Sequence, residues 1–405
     1  MDRLQGLLGV AAILGLIILM SRHRSRINWR ILVSAFGLQI AVAFLILHWG
    51  PGFRALNWFS QKVSAFISYA ESGTSFVFGG LFQNDHIGFV FALSVLPVII
   101  FLGAIIGLLY FLQIIQRVIE IVGSVLSKVI GTSKIESVWA STVIFLGQSE
   151  APLVIAPYLP RLTRSQLFTC MVGGYASVAG STLVGYSLLG APLDYLIAAS
   201  VMNAPSSLLV AKALWPETEE NVVDGNIRSV RDTESVNVID AIARGGLSGG
   251  KLAVIVGCLL IAFISLIAVL NGMVGGIGEW FGISDLSFDK ILGWVFAPVA
   301  WLIGVPWDNA ALVGNFLGQK TVLNEFVAYS NFGPMVGKLD HKTVLVTTFA
   351  LAGFANFGSI AIQIGAFGSL APSRRAEVAK YGLLALLGGT LTNLLNASIA
   401  GVIGF

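Results

Sequence analysis

Charge is scarce in this 405-residue chain. Only 11% of its residues are Asp, Glu, Lys or Arg, where a soluble domain carries about 25%. With 56% hydrophobic residues and a mean hydropathy of +0.85, the chain has more apolar surface than one globular core can hide. That excludes a soluble protein and indicates an integral membrane protein. Cysteine is nearly absent: Cys170 and Cys258 both lie in apolar runs and read as buried small residues, not as a disulfide. The four histidines, at 23, 48, 86 and 341, sit at segment ends with no metal-ligand spacing. The net charge of +3 arises in loops and suggests no nucleic-acid surface. Enzyme motifs are also missing. GQSEA at 147–151 ends in Ala151 where a nucleophile elbow has glycine. GGLSGGKL at 245–252 has Leu252 where a phosphate loop needs Ser or Thr; it reads as a flexible helix start. The basic cluster SRHRSRINWR at 21–30 follows the first apolar run instead of preceding it, which favours a retained span over a cleaved signal.

Long apolar runs dominate what remains. A membrane span needs about 20 mainly apolar residues. Eight runs qualify, at 4–20, 30–48, 88–112, 164–189, 192–212, 251–274, 343–366 and 379–404. Two more segments, 135–160 and 290–332, are apolar but interrupted by Gly, Pro and polar residues, as re-entrant hairpins would be. With both termini outside, 17 of the 24 Lys and Arg fall on the cytoplasmic side. Three stretches read as amphipathic interfacial helices: Gly52 to Tyr69, Ile114 to Ile130 and Val236 to Ser248. The polar loop ETEENVVDGNIRSVRDTES reads as solvated and cytoplasmic. Each hairpin precedes two spans, and the two units enter from opposite sides. This is the inverted-repeat plan of secondary transporters, in which matched Gly/Pro-broken segments mark a midplane site.

Two carboxylates, Glu150 in FLGQSEAPLVIAPYLP and Glu325 in VLNEFVAYS, fall near the hairpin turns. The span after each hairpin is itself interrupted, by GGYASVAGST at 173–182 and GFANFGSI at 353–360. Irregular backbone at membrane depth is tolerated only where protein or a water-filled cavity covers it, and a carboxylate there normally has a partner or a task. The plainer reading makes Glu150 a loop residue and Asn356 a cap at a helix break.

GQSEAP at 147–152, NEFVAYS at 324–330 and GFANFGSI at 353–360 resemble the concentrative nucleoside transporter family, and the likeness extends over essentially the whole chain. It is similar to bacterial members, with no extra spans ahead of the eight-span core. The resemblance implies an all-α polytopic fold: eight transmembrane helices, two opposed re-entrant hairpins and interfacial helices. It also implies inverted repeats working as an elevator, in homotrimers, in the cytoplasmic (inner) membrane. The expected division is a scaffold over 1–112, a first transport repeat over 113–212 and a cytoplasmic loop over 213–250. A scaffold span over 251–274 and a second repeat over 275–405 complete it. The implied partners are nucleosides such as uridine or adenosine, the bilayer and a coupling cation, with no organic cofactor and no enzymatic activity.

By the same resemblance, Gln148, Ser149, Glu150 and Thr182 contact the base. Glu325, Asn356 and Ser359 hold the ribose, with Phe354 beside the site and Asn324 a further nucleoside-binding position. A Gln amide both donates and accepts, which suits a base edge; an ionised carboxylate accepts strongly from two hydroxyls. Sodium in the family is held near the first hairpin tip, at positions that fall on the carbonyls of Leu146 and Val178 and the side chain of Ser177. The fourth ligand, usually Asn, is Val143 here. Valine has no oxygen for a hard cation, which puts a proton carried by Glu150 or Glu325 ahead of sodium. A channel and an intramembrane enzyme are the competing readings.

Overall fold

The structure, a computed structural model, describes residues 2–81, 90–221, 235–283 and 285–404. His86 and residues 222–234 of the polar loop lie outside the described residues. Within the described residues all regular structure is helical. In lipid an apolar chain satisfies its own backbone groups this way.

The first part comprises α1 (Asp2–Leu19), α2 (Trp29–Ala43) with a π-helical extension at Phe44–His48, α3 (Gly50–Ile67) and α4 (Ala70–Phe78). The short α5 (Phe91–Ser94) leads into α6 (Leu96–Phe111), and α7 (Ile114–Ile130) is bracketed by left-handed Gln113 and Gly131. On α7, Ile115, Ile119, Leu126 and Ile130 are buried while Arg117 and Lys128 are exposed. That is the amphipathic pattern read from sequence.

The first broken segment begins with α8 (Lys134–Thr142), opened by a Ser133–Glu136 capping box. The chain then unwinds from Val143 to Glu150. Pro152, Pro157 and Pro160 reduce the return limb to α9 (Ala151–Val154) and a 3-10 turn, Ala156–Arg161. The next span is indeed broken: α10 (Arg164–Ala176) stops, residues 177–179 are extended or irregular, and α11 (Gly180–Leu188) resumes. α12 (Leu193–Leu214) closes the unit, its buried Lys212 ion-paired to Glu136 of α8 at 2.5 Å. Breaking such a pair costs about 3–5 kcal/mol, because one charge is left buried alone.

Sequence reading separates an interfacial helix at Val236–Ser248 from a span at 251–274. The structure corrects this: α13 (Val238–Trp280) is one helix of 43 residues. Its glycines do not interrupt it, because α6 crosses there. A Cβ on Gly103 would lie 2.6 Å from the Gly245 carbonyl, and one on Gly249 would lie 2.6 Å from the Ile99 carbonyl. GGLSGGKL is therefore a small-residue helix crossing. Cys170 is buried as expected, but Cys258 is exposed on α13, and both are free thiols.

The segment 290–332 is also more divided than expected. α14 (Phe288–Leu302) and α15 (Trp307–Val322) meet at 116°, at a turn containing left-handed Gly304 and then Pro306. The second hairpin proper is α15 with α16 (Glu325–Phe332), turning at Leu323 and Asn324. Then α17 (His341–Leu351) and α18 (Phe357–Leu370) form the second broken span, and α19 (Arg375–Ile403) ends the fold. Six helices among the described residues are long and apolar enough to cross a membrane. Of the other two expected spans, α1 is shorter, and 343–366 is divided between α17 and α18.

The structure places α1 and α2, expected in the scaffold, against α12 and α19. The amide of Gln39 on α2 donates to Asn396 of α19 at 2.5 Å, both fully buried.

Candidate functional site

Helix breaks strand backbone carbonyls that need donors. Here one side chain serves both breaks. Asn393 of α19 donates to the Ala176 carbonyl ending α10 (2.8 Å) and to the Ala352 carbonyl after α17 (2.9 Å). Asn203 of α12 also donates to Ala352 (3.1 Å) and accepts from Asn396 (2.7 Å). The breaks touch so closely that a Cβ on Gly353 would collide with the Asn393 amide and approach the Ala176 carbonyl to 2.8 Å. Phe354, in the second break, donates its backbone N–H to Ser177 in the first (3.1 Å). The four interruptions found in the sequence thus form one core.

Glu325 stands at the first residue of α16 and Asn356 at the N-cap of α18. Two helix N-termini therefore turn toward one carboxylate, which favours negative charge there. Glu325 Oε2 accepts from Asn356 Nδ2 at 2.9 Å, and Oε1 accepts from Tyr186 at 3.0 Å. Asn356 is also the cap of the plainer reading: its Oδ1 accepts from Ser359 N at 2.9 Å. Both roles belong to one side chain. Ser359, one turn on, accepts from Gln148 Nε2 of the first hairpin at 2.7 Å. A continuous polar chain therefore runs Tyr186–Glu325–Asn356–Ser359–Gln148, with residues from both halves. Thr182 donates to Ala179 at 2.8 Å and lies within hydrogen-bonding reach of Tyr186. Asn324 caps α16 through Val327 N at 3.0 Å, and its buried Nδ2 has no partner among the described residues. Phe354 is buried beside Gly147.

Ser149 and Glu150 stand apart from this chain. Both are exposed, and Glu150 lines a cavity of about 390 Å³ with Leu146, Ser181, and Arg244 and Ser248 of α13. A second cavity of about 890 Å³, nearly all apolar, lies further along α13, between Leu260 and Ile264 and the second hairpin at Ser330 and Pro334.

At the first hairpin tip one expected side-chain oxygen is missing. Val143 is buried and brings no oxygen. The neighbouring Thr142 hydroxyl is turned back onto the Val138 carbonyl at 2.8 Å, so it is no substitute. Ser177 donates to Gly174 at 3.1 Å. Among the described residues the Leu146 and Val178 carbonyls accept no backbone hydrogen bond outside the regular helices. The tip thus offers three protein oxygens, one fewer than the four that the resemblance implies.

Tyr186, Lys320, Gln363, Asn203, Asn393 and Asn396 were not read from sequence as site residues. The amides left a signal: LTNLLN at 391–396 places two Asn three residues apart, on one face of an apolar helix. Gln363 is a single polar residue in an apolar run, while Tyr186 stands beside Ser187 and Lys320 between Gln319 and Thr321, and none of the three has a motif around it. Lys320 is buried, donating to the Ala350 carbonyl and to Asn393 Oδ1, each at 2.8 Å.

Residues 195–401 match the family described as Na+ dependent nucleoside transporter C-terminus, and residues 8–81 the corresponding N-terminus. Residues 92–193 match a family described as nucleoside recognition. The transporter YutK of Bacillus subtilis is 50% identical over 99% of this chain and 100% of its own. Nucleoside permease NupC of Helicobacter pylori is 41% identical over 97% of this chain and 96% of its own. Among solved structures, CNTnw in an inward-facing substrate-bound state matches with a TM-score of 0.94 at 46% identity, covering 100% of this chain and 98% of that one. A variant of CNTnw in an outward-facing state gives 0.96 at 45% identity, covering 100% and 99%.

Proposed function

The chain belongs to the concentrative nucleoside transporter family, and from that premise we propose that it imports nucleosides such as uridine or adenosine by proton symport. The observation that carries this reading is the meeting of Glu325, Asn356, Ser359 and Gln148 between the two hairpins. An ionised carboxylate offers about four lone-pair positions. Tyr186 and Asn356 occupy two, and the ribose hydroxyls take the others. Gln148, Ser149 and Thr182 serve the base, with Phe354 packed at the edge. Asn324 shapes the hairpin turn.

The coupling group is Glu150. Glu325 is surrounded by donors and works as an acceptor throughout, whereas Glu150 faces a cavity that water can fill. The missing side-chain oxygen at Val143 supports a proton over the sodium of the family's name. Two units, each a hairpin, a broken span and a long helix, support the inverted-repeat plan. The α6–α13 crossing serves as the frame, and cavities along α13 beside each hairpin leave room for an elevator-like slide. α1 and α2 travel with the moving body, held by contacts such as Gln39–Asn396. The assembly is a homotrimer in the cytoplasmic membrane with both termini periplasmic.

Uptake of labelled uridine and adenosine into proteoliposomes tests the reading. Uptake should be little changed when choline replaces sodium at fixed pH, should rise as external pH falls at fixed sodium, and should lose that rise in Glu150→Gln. Val143→Asn should introduce sodium stimulation. Strong sodium dependence in the unaltered protein would refute the proton assignment. Downhill conductance without accumulation would make it a channel.

A further inference from the structure

Gln363 lies in the middle of α18, fully buried, and bridges two residues. Its Nε2 donates to the Met171 backbone carbonyl of α10 at 3.0 Å and to Gln148 Oε1 at 3.3 Å. A backbone carbonyl can only accept. It therefore fixes which end of the Gln363 amide faces it; turning the amide over would set two oxygens against each other. Gln148 is oriented in turn. Its oxygen must face the Gln363 nitrogen, so its own nitrogen faces Ser359 and donates to that hydroxyl at 2.7 Å. Ser359, having accepted, keeps its proton for another acceptor.

Polarity thus runs one way, from a main-chain carbonyl to the edge of the site. Gln363 Oε1 is buried with no partner among the described residues. Gly174 leaves the amide room: a Cβ there would lie 2.6 Å from Gln363 Nε2.

We propose that Gln363 is a positioning residue that sets the hydrogen-bond polarity of the base subsite. Gln148 is held as a donor, and the subsite selects nucleobases that present an acceptor to it. This rests on the reading of Gln148 as a base contact.

The test uses inhibition of labelled uridine uptake in proteoliposomes by uridine, adenosine and a riboside carrying a plain phenyl ring, which has no polar base edge. Gln148→Ala should weaken uridine and adenosine about tenfold relative to the phenyl riboside, the worth of one hydrogen bond. Gln363→Met should do the same without touching substrate. Gln363→Leu, which likewise offers the Met171 carbonyl no proton, should match it. The double variant Gln148→Ala with Gln363→Met should be no worse than Gln148→Ala alone, since one residue acts through the other. If Gln363→Met and Gln363→Leu weaken all three ligands equally, or the double variant multiplies the two losses, Gln363 is only structural and the proposal falls. If Gln148→Ala itself leaves the ratios unchanged, the base role of Gln148 fails first.

Discussion

Glu325→Gln should cut nucleoside uptake about a hundredfold or more, with the helical content of the purified protein retained. The substitution is nearly isosteric, so packing is kept and the chemistry changes. Glu325 accepts from Tyr186 and Asn356 at 3.0 and 2.9 Å. Glutamine replaces one of its oxygens by an NH2, which can face only the Tyr186 hydroxyl turned round as an acceptor, so one acceptor of the site is lost. The carboxamide also loses the charge that makes ribose hydroxyls bind strongly. A hydrogen bond to a charged group contributes about 1.5–3 kcal/mol. Weakening two of them removes at least about 3 kcal/mol, and each 1.4 kcal/mol is a factor of ten. Free uracil, lacking ribose, should compete poorly against uridine in the unaltered protein. A loss below tenfold in Glu325→Gln, or uracil competing as well as uridine, would take Glu325 out of the ribose role.

That prediction uses a residue that sequence alone brings forward, and the reason is physical. A carboxylate beside a Gly/Pro-broken apolar segment stands out because burying it is costly without a partner. Breaks stand out for the same reason: GGYASVAGST and GFANFGSI are polar where a span should be apolar, and both become the irregular joints of α10–α11 and α17–α18. What stays hidden is whatever depends on a partner helix. Gly245 and Gly249 look like a helix break in isolation, yet α6 packs into the groove they leave and α13 runs through without interruption. The division between α14 and the second hairpin is hidden for a related reason, since Gly304 and Pro306 turn a segment that is apolar on both sides. Tyr186 and Gln363 are ordinary residues until folding brings them against their partners Glu325 and Gln148, which lie 139 and 215 residues away along the chain. The scaffold expectation for α1 and α2 depends on who packs against them, and span counting carries no such information.

Lys320→Met is expected to destabilise the protein by about 1–3 kcal/mol, the usual result of leaving buried acceptors without their donor. Lys320 is only 3% exposed, and its ammonium group donates to the Ala350 carbonyl and to Asn393 Oδ1. It therefore ties the second hairpin to the end of α17 and to the asparagine that serves both helix breaks. It also interacts electrostatically with Glu325, five residues on at the hairpin turn. Methionine keeps most of the length and apolar stem but supplies no donors, so the Ala350 carbonyl is left short and Glu325 loses a compensating charge. The electrostatic part can be separated from the hydrogen bonds by a second change. Lys320→Met combined with Glu325→Gln removes both charges, and its stability loss should be smaller than the sum of the single losses by 1 kcal/mol or more, as coupled sites show. Thermal unfolding in detergent, followed by circular dichroism for the unaltered protein and the three variants, gives all four corners of the cycle. Strictly additive losses would mean that Lys320 holds the helix break alone, and that Glu325 keeps its charge by the hydrogen bonds of Tyr186 and Asn356 and the two helix N-termini.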